Sequence, residues 1–345
     1  MANLPIPQDI FSRLTFIHEY EKNQNGENDV TDPASIINNY QPHILTDFNL
    51  SHHLPPDHLA TQLYRDAMTV PADRIPLFIP PVIGTNFPIG DPNYITQPRN
   101  TSLLPALIAA QAIQVDFRQY DIVSERNSLR KIAMNVKIYA VGVMRYGKTL
   151  LLRRYGRRSV NRNDIGILFE EMCTTPDYPP SAEYKYLIEG RIGTLRTLVT
   201  AEIDAVSNGN NQNNNSIELT CRKEEKFQNK VDVWFQTFLS GTATLMVGHR
   251  SVDEPIRLLG MNDYNTEDLI GQENKIRILQ HLHRVLCFLQ ANVQENRNYI
   301  FYRHPRDQPP NDMGLFLYEI TNSDDIRRLQ FIPKWMLKQM FIRNE

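Results

Sequence analysis

Glu202 and Asp204 stand two residues apart in Ala201-Glu202-Ile203-Asp204-Ala205-Val206, and Glu218 and Thr220 two apart in Ile217-Glu218-Leu219-Thr220-Cys221. Strand side chains alternate faces, so each pair would point one way from its strand. If the two strands lie side by side, three carboxylates converge. Such a cluster is unstable unless a cation offsets it, and oxygen-only ligands select a hard ion such as Mg²⁺ or Mn²⁺. Acidic residues at period two also describe the solvated face of a surface hairpin. Spacing alone leaves both readings open.

A second stretch invites different chemistry. Gly142-Val143-Met144-Arg145-Tyr146-Gly147-Lys148-Thr149 fits the phosphate-loop pattern G-x-x-x-x-G-K-T, which would put Lys148 on a phosphate and Thr149 on Mg²⁺. That chemistry requires a helix directly afterwards, whose N-terminal N–H groups cradle the anion. Leu150-Leu151-Leu152-Arg153-Arg154-Tyr155 suits a strand as easily, and Val, Met, Arg and Tyr crowd the loop. A hairpin turning at Tyr146-Gly147-Lys148 is the expectation, with a P-loop nucleotide hydrolase as the remote alternative. Arg145, Lys148, Arg153, Arg154, Arg157, Arg158 and Arg162 all precede the next acidic residue, Asp164. They would form either a positive wall for a phosphate backbone or a solvated strand face. His52, His53 and His58 have no Cys or carboxylate at ligand spacing and do not read as a metal site.

These residues need a scaffold, and 345 residues can bury a large core. A hydrophobic content of 41% with 22% charged residues is ordinary for a globular chain, and a net charge of −2 argues against wholesale nonspecific binding to nucleic acid. No apolar run approaches the ~20 residues of a membrane span, and the N-terminus has neither a basic nor an apolar signal region. Cys173, Cys221 and Cys287 form no C-x-x-C pair, so neither disulfides nor zinc are expected. A reducing compartment, nucleus or cytoplasm, fits. Residues 1 to about 75 are polar with short helical patches such as 57–68, and 76–98 are rich in Pro and Gly. Helices are expected over 102–114, 164–172, 230–239 and 275–291, and strands to either side of 146–148 and of 190–193. Residues 208–215 read as a low-complexity hairpin tip. Trp234 and Phe238, at i and i+4, read as core, which leaves Gln236 on another face as a candidate for function.

Four motifs recur in order along the chain. They are Arg126 in Ser124-Glu125-Arg126-Asn127-Ser128-Leu129, then Gly166-Ile167-Leu168-Phe169-Glu170, then Glu202-Ile203-Asp204, then Glu218-Leu219. Trp234, Gln236, Phe238, Leu239 and Gly241 follow, with Gly248 and Arg250, and later Phe331-Ile332-Pro333, Trp335 and Met340. Together they resemble the decapping exoribonuclease (DXO) family over roughly residues 76–340. The resemblance implies an α+β fold, a mixed, largely antiparallel sheet nuclease core flanked by helices. Its catalytic domain would span 76–345, after a polar N-terminal extension, 1–75, packed on or preceding that core. It also implies two divalent ions, Mg²⁺ or Mn²⁺, held by Glu170, Glu202, Asp204 and Glu218, with the Leu219 carbonyl as a further ligand. Arg126 and Gln236 would contact an RNA 5′ end, and the reaction would be hydrolysis of incompletely methylated caps, NAD caps or 5′-triphosphate ends, with 5′–3′ degradation in several members. The expected partner is therefore an RNA 5′ end and not a membrane, with a monomer as the simplest assembly and an exonuclease partner left open.

At one catalytic position the chain departs from that pattern. The fourth motif carries a Lys where Thr220 stands, and a hydroxyl replaces a point charge near the scissile phosphate. Three outcomes remain: an enzyme with a replacement cation, a slowed enzyme, or an RNA 5′-end binder without chemistry. Arg222, two residues on and so on the same strand face, is the nearest candidate replacement, although about 6.5 to 7 Å further along.

Overall fold

The computed structural model describes residues 6–21, 35–51, 65–89, 103–155, 164–176, 178, 182–207, 216–223, 229–306, 312–329 and 332. In chain order its strands are β1 (Thr15–Glu19), β2 (His43–Ser51), β3 (Met68–Thr69), β4 (Ile122–Glu125), β5 (Tyr139–Tyr146), β6 (Thr149–Tyr155), β7 (Ala182–Ile192), β8 (Leu195–Glu202), β9 (Ala205–Val206), β10 (Ser216–Arg222), β11 (Thr244–Arg250), β12 (Leu258–Asn265), β13 (Asn298–Pro305) and β14 (Met313–Glu319). The helices are α1 (Gln8–Phe11), α2 (Ser35–Asn38), α3 (Leu104–Ala112), α4 (Arg126–Met134), α5 (Ile165–Met172), α6 (Lys230–Ser240), α7 (Gln272–Asn292) and α8 (Ser323–Leu329).

A mixed, largely antiparallel α+β core forms, and its strands divide into two sheets. Ten strands lie in the order β1-β14-β13-β5-β6-β4-β8-β7-β2-β3, and four in the order β12-β11-β10-β9. Among the described strands, parallel strand pairing is confined to β4, which runs with both β6 and β8, and to β10 with β11. Alternation along the strands sorts side chains onto two covered faces. Ile122, Val141, Val143, Leu150, Leu152 and Val199 pack toward Leu129 of α4, Trp234 of α6 and the apolar stripe Leu279, Leu282, Leu286 and Leu289 of α7. On the other face Val123, Leu151, Leu187 and Leu198 pack with Phe48 and with α3, which is apolar nearly all round and buried over most of its length. Such a helix has no wet face to offer and must be covered.

Sequence patterning located four of these helices and the strands around two of the turns. The helices expected over 164–172, 230–239 and 275–291 are α5, α6 and α7, and α3 lies inside 102–114. Gly241, at φ +68, ends α6 in the left-handed conformation that favours glycine at a helix C-terminus. The hairpin expected at Tyr146-Gly147-Lys148 is the β5–β6 turn, and the P-loop alternative fails there. Thr149 opens a strand rather than a helix, and its buried hydroxyl donates to the Tyr120 carbonyl at 2.7 Å. The segment before residue 76 supplies strands of the large sheet itself: β1 pairs with β14 and β2 with β7. Its histidines at 52, 53 and 58, most of the helical patch 57–68, the Asn-rich tip 208–215, Arg157, Arg158, Arg162, Phe331, Pro333, Trp335 and Met340 lie outside the described residues.

Candidate active site

The chain leaves the large sheet at Glu202, the last residue of β8, and enters the small one at Ala205 in β9. Glu202 and Asp204 lie at that seam. They do not share a strand as the spacing predicts: β8 ends at Glu202, Asp204 follows outside any strand, and what approaches Glu218 is the short pairing of Ala205 and Val206 with Ile217 and Ser216. Across it the Leu219 N–H donates to Asp204 Oδ2 at 2.8 Å, which pins Asp204 beside Glu218. Glu218 is buried, and both of its oxygens are held. Arg126, the first residue of α4, donates from Nη1 to Oε2 at 3.3 Å and to Ser240 Oγ at 3.4 Å, while Gln236 Nε2 of α6 donates to Oε1.

Glu170 arrives from α5, whose first turn is capped by Asp164 accepting from the Gly166 N–H at 2.9 Å. The helix sits against the small sheet through Phe169, which packs with Leu168, Ile217 and Leu219. A glycine makes this approach possible: a Cβ on Gly248 of β11 would stand 2.5 Å from the Phe169 ring. Glu170, Glu183, Glu202 and Asp204 then line one cleft of about 220 Å³, with Thr174 and Tyr178 on its wall.

Charge density in this cleft is high. Enclosure, Glu218 and Glu170 together push the Asp204 carboxyl well above its ordinary range, against the opposing pull of the Leu219 N–H and Arg126. Glu218 is also raised, by burial first, with Glu202 adding to it and Arg126 and Arg130 opposing. Arg130 is itself clamped to Asp232, its Nε and Nη2 each 2.6 Å from a carboxylate oxygen. On the far side of Glu202 lies Lys185 of β7, its register partner in the sheet, with Nζ 2.6 Å from Glu183 Oε2. Burial works against the Lys185 charge, and Glu183, Glu125 and Glu202 outweigh it and raise its pKa.

The expected site residues are therefore mostly brought together: Glu170, Glu202 and Asp204 at the cleft, Glu218 beside them, and Arg126 and Gln236 on Glu218. Leu219 uses its N–H on Asp204, while Thr220 and Arg222 follow half-buried along β10, Arg222 level with His249 of β11. Of the described residues in the expected positive wall, Arg145 donates to the Gln290 carbonyl, Lys148 pairs with Asp121 at 3.5 Å, and Arg153 is buried with its guanidinium over Tyr155. Sequence reasoning missed Glu125, Arg130, Glu183 and Lys185. The signal for Glu183 and Lys185 was present as two charges alternating with Tyr184 and Tyr186, but the register that sets Lys185 opposite Glu202 is a tertiary fact.

The donors suit a divalent ion in kind, being hard carboxylate oxygens that repel one another at a single cleft. Among the described residues no three His, Cys, Asp or Glu side chains form a ready-made cage, since Glu218 is turned to Arg126 and Gln236 and Asp204 to Leu219. Holding an ion thus requires these side chains to turn toward the cleft.

A mixed sheet with a carboxylate cleft at its edge defines a class, hydrolases that act on phosphate esters through oxygen-bound cations. Residues 80–337 match the family model described as RAI1-like PD-(D/E)XK nuclease, and the chain belongs to that family. No curated protein sequence matches it. Among solved structures, Schizosaccharomyces pombe Rai1 superimposes with a TM-score of 0.65 at 16% identity, covering 81% of this chain and 93% of that one. Scheffersomyces stipitis Rai1, in complex with 3′-NADP⁺ and calcium, gives 0.65 at 15% identity, covering 88% and 95%. Candida albicans Rai1, in complex with pU5 and Mn²⁺, gives 0.62 at 16% identity, covering 87% and 96%. Among the described residues no helix is long and apolar enough to cross a membrane.

Proposed function

We propose that this protein is a metal-dependent hydrolase of RNA 5′ ends, removing incomplete or non-canonical caps, NAD caps or 5′-triphosphates. The observation that carries this is the seam itself, where Asp204 is held against Glu218 and within the field of Glu170. Support comes from the family and from its structural relatives, one holding a 5′-phosphorylated oligonucleotide with Mn²⁺ and one a dinucleotide with calcium.

Glu170, Glu202, Asp204 and Glu218 would hold one or two divalent ions, with the Leu219 carbonyl as a further ligand. When bound, such ions activate water and stabilise the oxygens of an in-line displacement at phosphorus. The chain's own residues orient the parts. Arg126 and Gln236 fix the two Glu218 oxygens from α4 and α6 and would serve as donors to a 5′ phosphate. Thr220 contributes a hydroxyl, and Arg222 lies further along the same strand as a contact to the following phosphate. Residues 76–345 would carry the catalysis, with the preceding segment bracing the sheet, in the nucleus or cytoplasm.

Thr220 favours one second reading, an RNA 5′-end binder with weakened chemistry. Incubation of the protein with end-labelled capped and 5′-triphosphorylated RNA in Mn²⁺, with and without chelator, separates the two. Chelator-sensitive release of the 5′ end is expected. Retention of RNA on a filter without any cleavage, in Mn²⁺ or Mg²⁺, would establish the binding reading instead.

A further inference from the structure

Six carboxylates crowd the seam and its margin: Glu125, Glu170, Glu183, Glu202, Asp204 and Glu218. Among the described cations acting on them, Arg126 is engaged with Glu218 and Ser240, and Arg130 with Asp232 and Asn127. Lys185 is differently placed. In the register of the large sheet it stands between Phe48 of β2 and Glu202 of β8, so the three share one face. Glu125, at the end of β4, lies opposite Thr200, which in turn faces Leu187, and so belongs to that face too. The lysine side chain is only 14% exposed, and its ammonium meets the cleft through Glu183. No part of the apolar core here requires a charge. A buried lysine persists in such surroundings only where carboxylates compensate it.

We propose that Lys185 is the charge-balancing residue of the active site, positioning Glu183 and Glu202 and supplying, from the neighbouring strand, the positive charge that Thr220 does not. It rests on the divalent-metal reading above. Removing this ammonium takes one positive charge from beside Glu183 and Glu202, which favours any bound cation and disfavours an approaching phosphate. Lys185 thus holds the cleft's net charge low enough for an anionic substrate to enter.

Three variants test it, with Mn²⁺ binding followed by calorimetry and turnover followed on a 5′-triphosphorylated RNA oligonucleotide. Lys185→Met is expected to bind Mn²⁺ on the order of tenfold more tightly, the effect of one unit charge removed in a partly screened interior. Its kcat should fall by about 10²-fold, as when one fixed electrostatic contact is lost. Lys185→Arg should retain wild-type Mn²⁺ affinity and most of kcat. Adding Thr220→Lys to Lys185→Met should recover kcat. A purely structural lysine would instead lower the melting temperature of Lys185→Met and leave Mn²⁺ affinity and kcat unchanged, which overturns the proposal. If Lys185→Met does not fold, a tenfold or greater gain in kcat from Thr220→Lys alone overturns it as well. Absence of Mn²⁺ binding to the wild type would remove the metal reading itself, a separate and recognisable failure.

Discussion

The large sheet and the seam beside it are built on opposite rules. At the centre of the large sheet both faces are apolar and covered, and Ser124 and Thr149 there donate their hydroxyls to backbone carbonyls. At the seam, only residues beyond the end of β8, the chain gathers carboxylates with two arginines and a lysine. Burial stabilises the first region and opposes the second, where it raises Asp204 and Glu218. The seam is tolerable because the sheet holds it: two neighbouring helices, α4 and α6, are anchored in the core and each delivers one side chain to Glu218. Stability and chemistry are thereby separable in this molecule, and mutations should part accordingly.

Truncation in the scaffold should produce the largest loss of stability. Trp234 is fully buried between the sheet and the Phe235 and Phe238 rings, two residues from Gln236. Trp234→Ala should cost about 3–5 kcal/mol in denaturant unfolding, and activity should fall with the folded fraction. At the seam the sign is expected to reverse. Asp204→Asn should reduce turnover by about 10²- to 10³-fold while leaving the melting temperature equal or higher, because one member of a repelling cluster has lost its charge. A parallel loss of stability would erase the contrast between the regions.

A third variant probes the coupling between them. Gly248→Ala forces Phe169 to give way, at about 1–3 kcal/mol, and α5 carries Glu170 with it. Turnover should therefore drop by more than the loss of folded protein explains, measured at a temperature where the variant remains native. The smallest effect is expected far from both. Arg13 clamps the buried Asp325 of α8 with two hydrogen bonds of 2.8 and 2.7 Å and holds its carboxyl below the ordinary range. That contribution is complete above the unfolded carboxyl pKa of about 3.9 and lost as pH falls through the lower folded value. Asp325→Asn should flatten the acid limb of the stability profile and leave metal-dependent cleavage at neutral pH unchanged.

How much of this was legible in the sequence follows the same division. Local patterns carried α3, α5, α6 and α7: the stripe from Ile276 to Leu289 is a periodic signal, and α7 forms where it lies. The Tyr146-Gly147-Lys148 turn likewise outweighed the phosphate-loop pattern, since Thr149 begins a strand. The four carboxylates were found by their order along the chain. Hidden were the relations that only strand register creates. Nothing in Glu202-Ile203-Asp204 says that β8 ends at Glu202 and that the next strand joins another sheet, nor that Lys185, 17 positions earlier, becomes the neighbour of Glu202. The contribution of residues 15–19 and 43–51 to the large sheet was equally hidden, because polar residues interrupt both segments and neither has the apolar run that announces a central strand.

The metal site proposed at the seam is tested most directly by anomalous diffraction from crystals soaked in Mn²⁺. A peak within about 2.0–2.6 Å of carboxylate oxygens of Asp204 and Glu218, with Glu170 or Glu202 turned toward it, is the expected result. Density at saturating Mn²⁺ that leaves Asp204 on the Leu219 N–H and Glu218 on Arg126, with no peak in the cleft, would contradict a metal-dependent nuclease centred there.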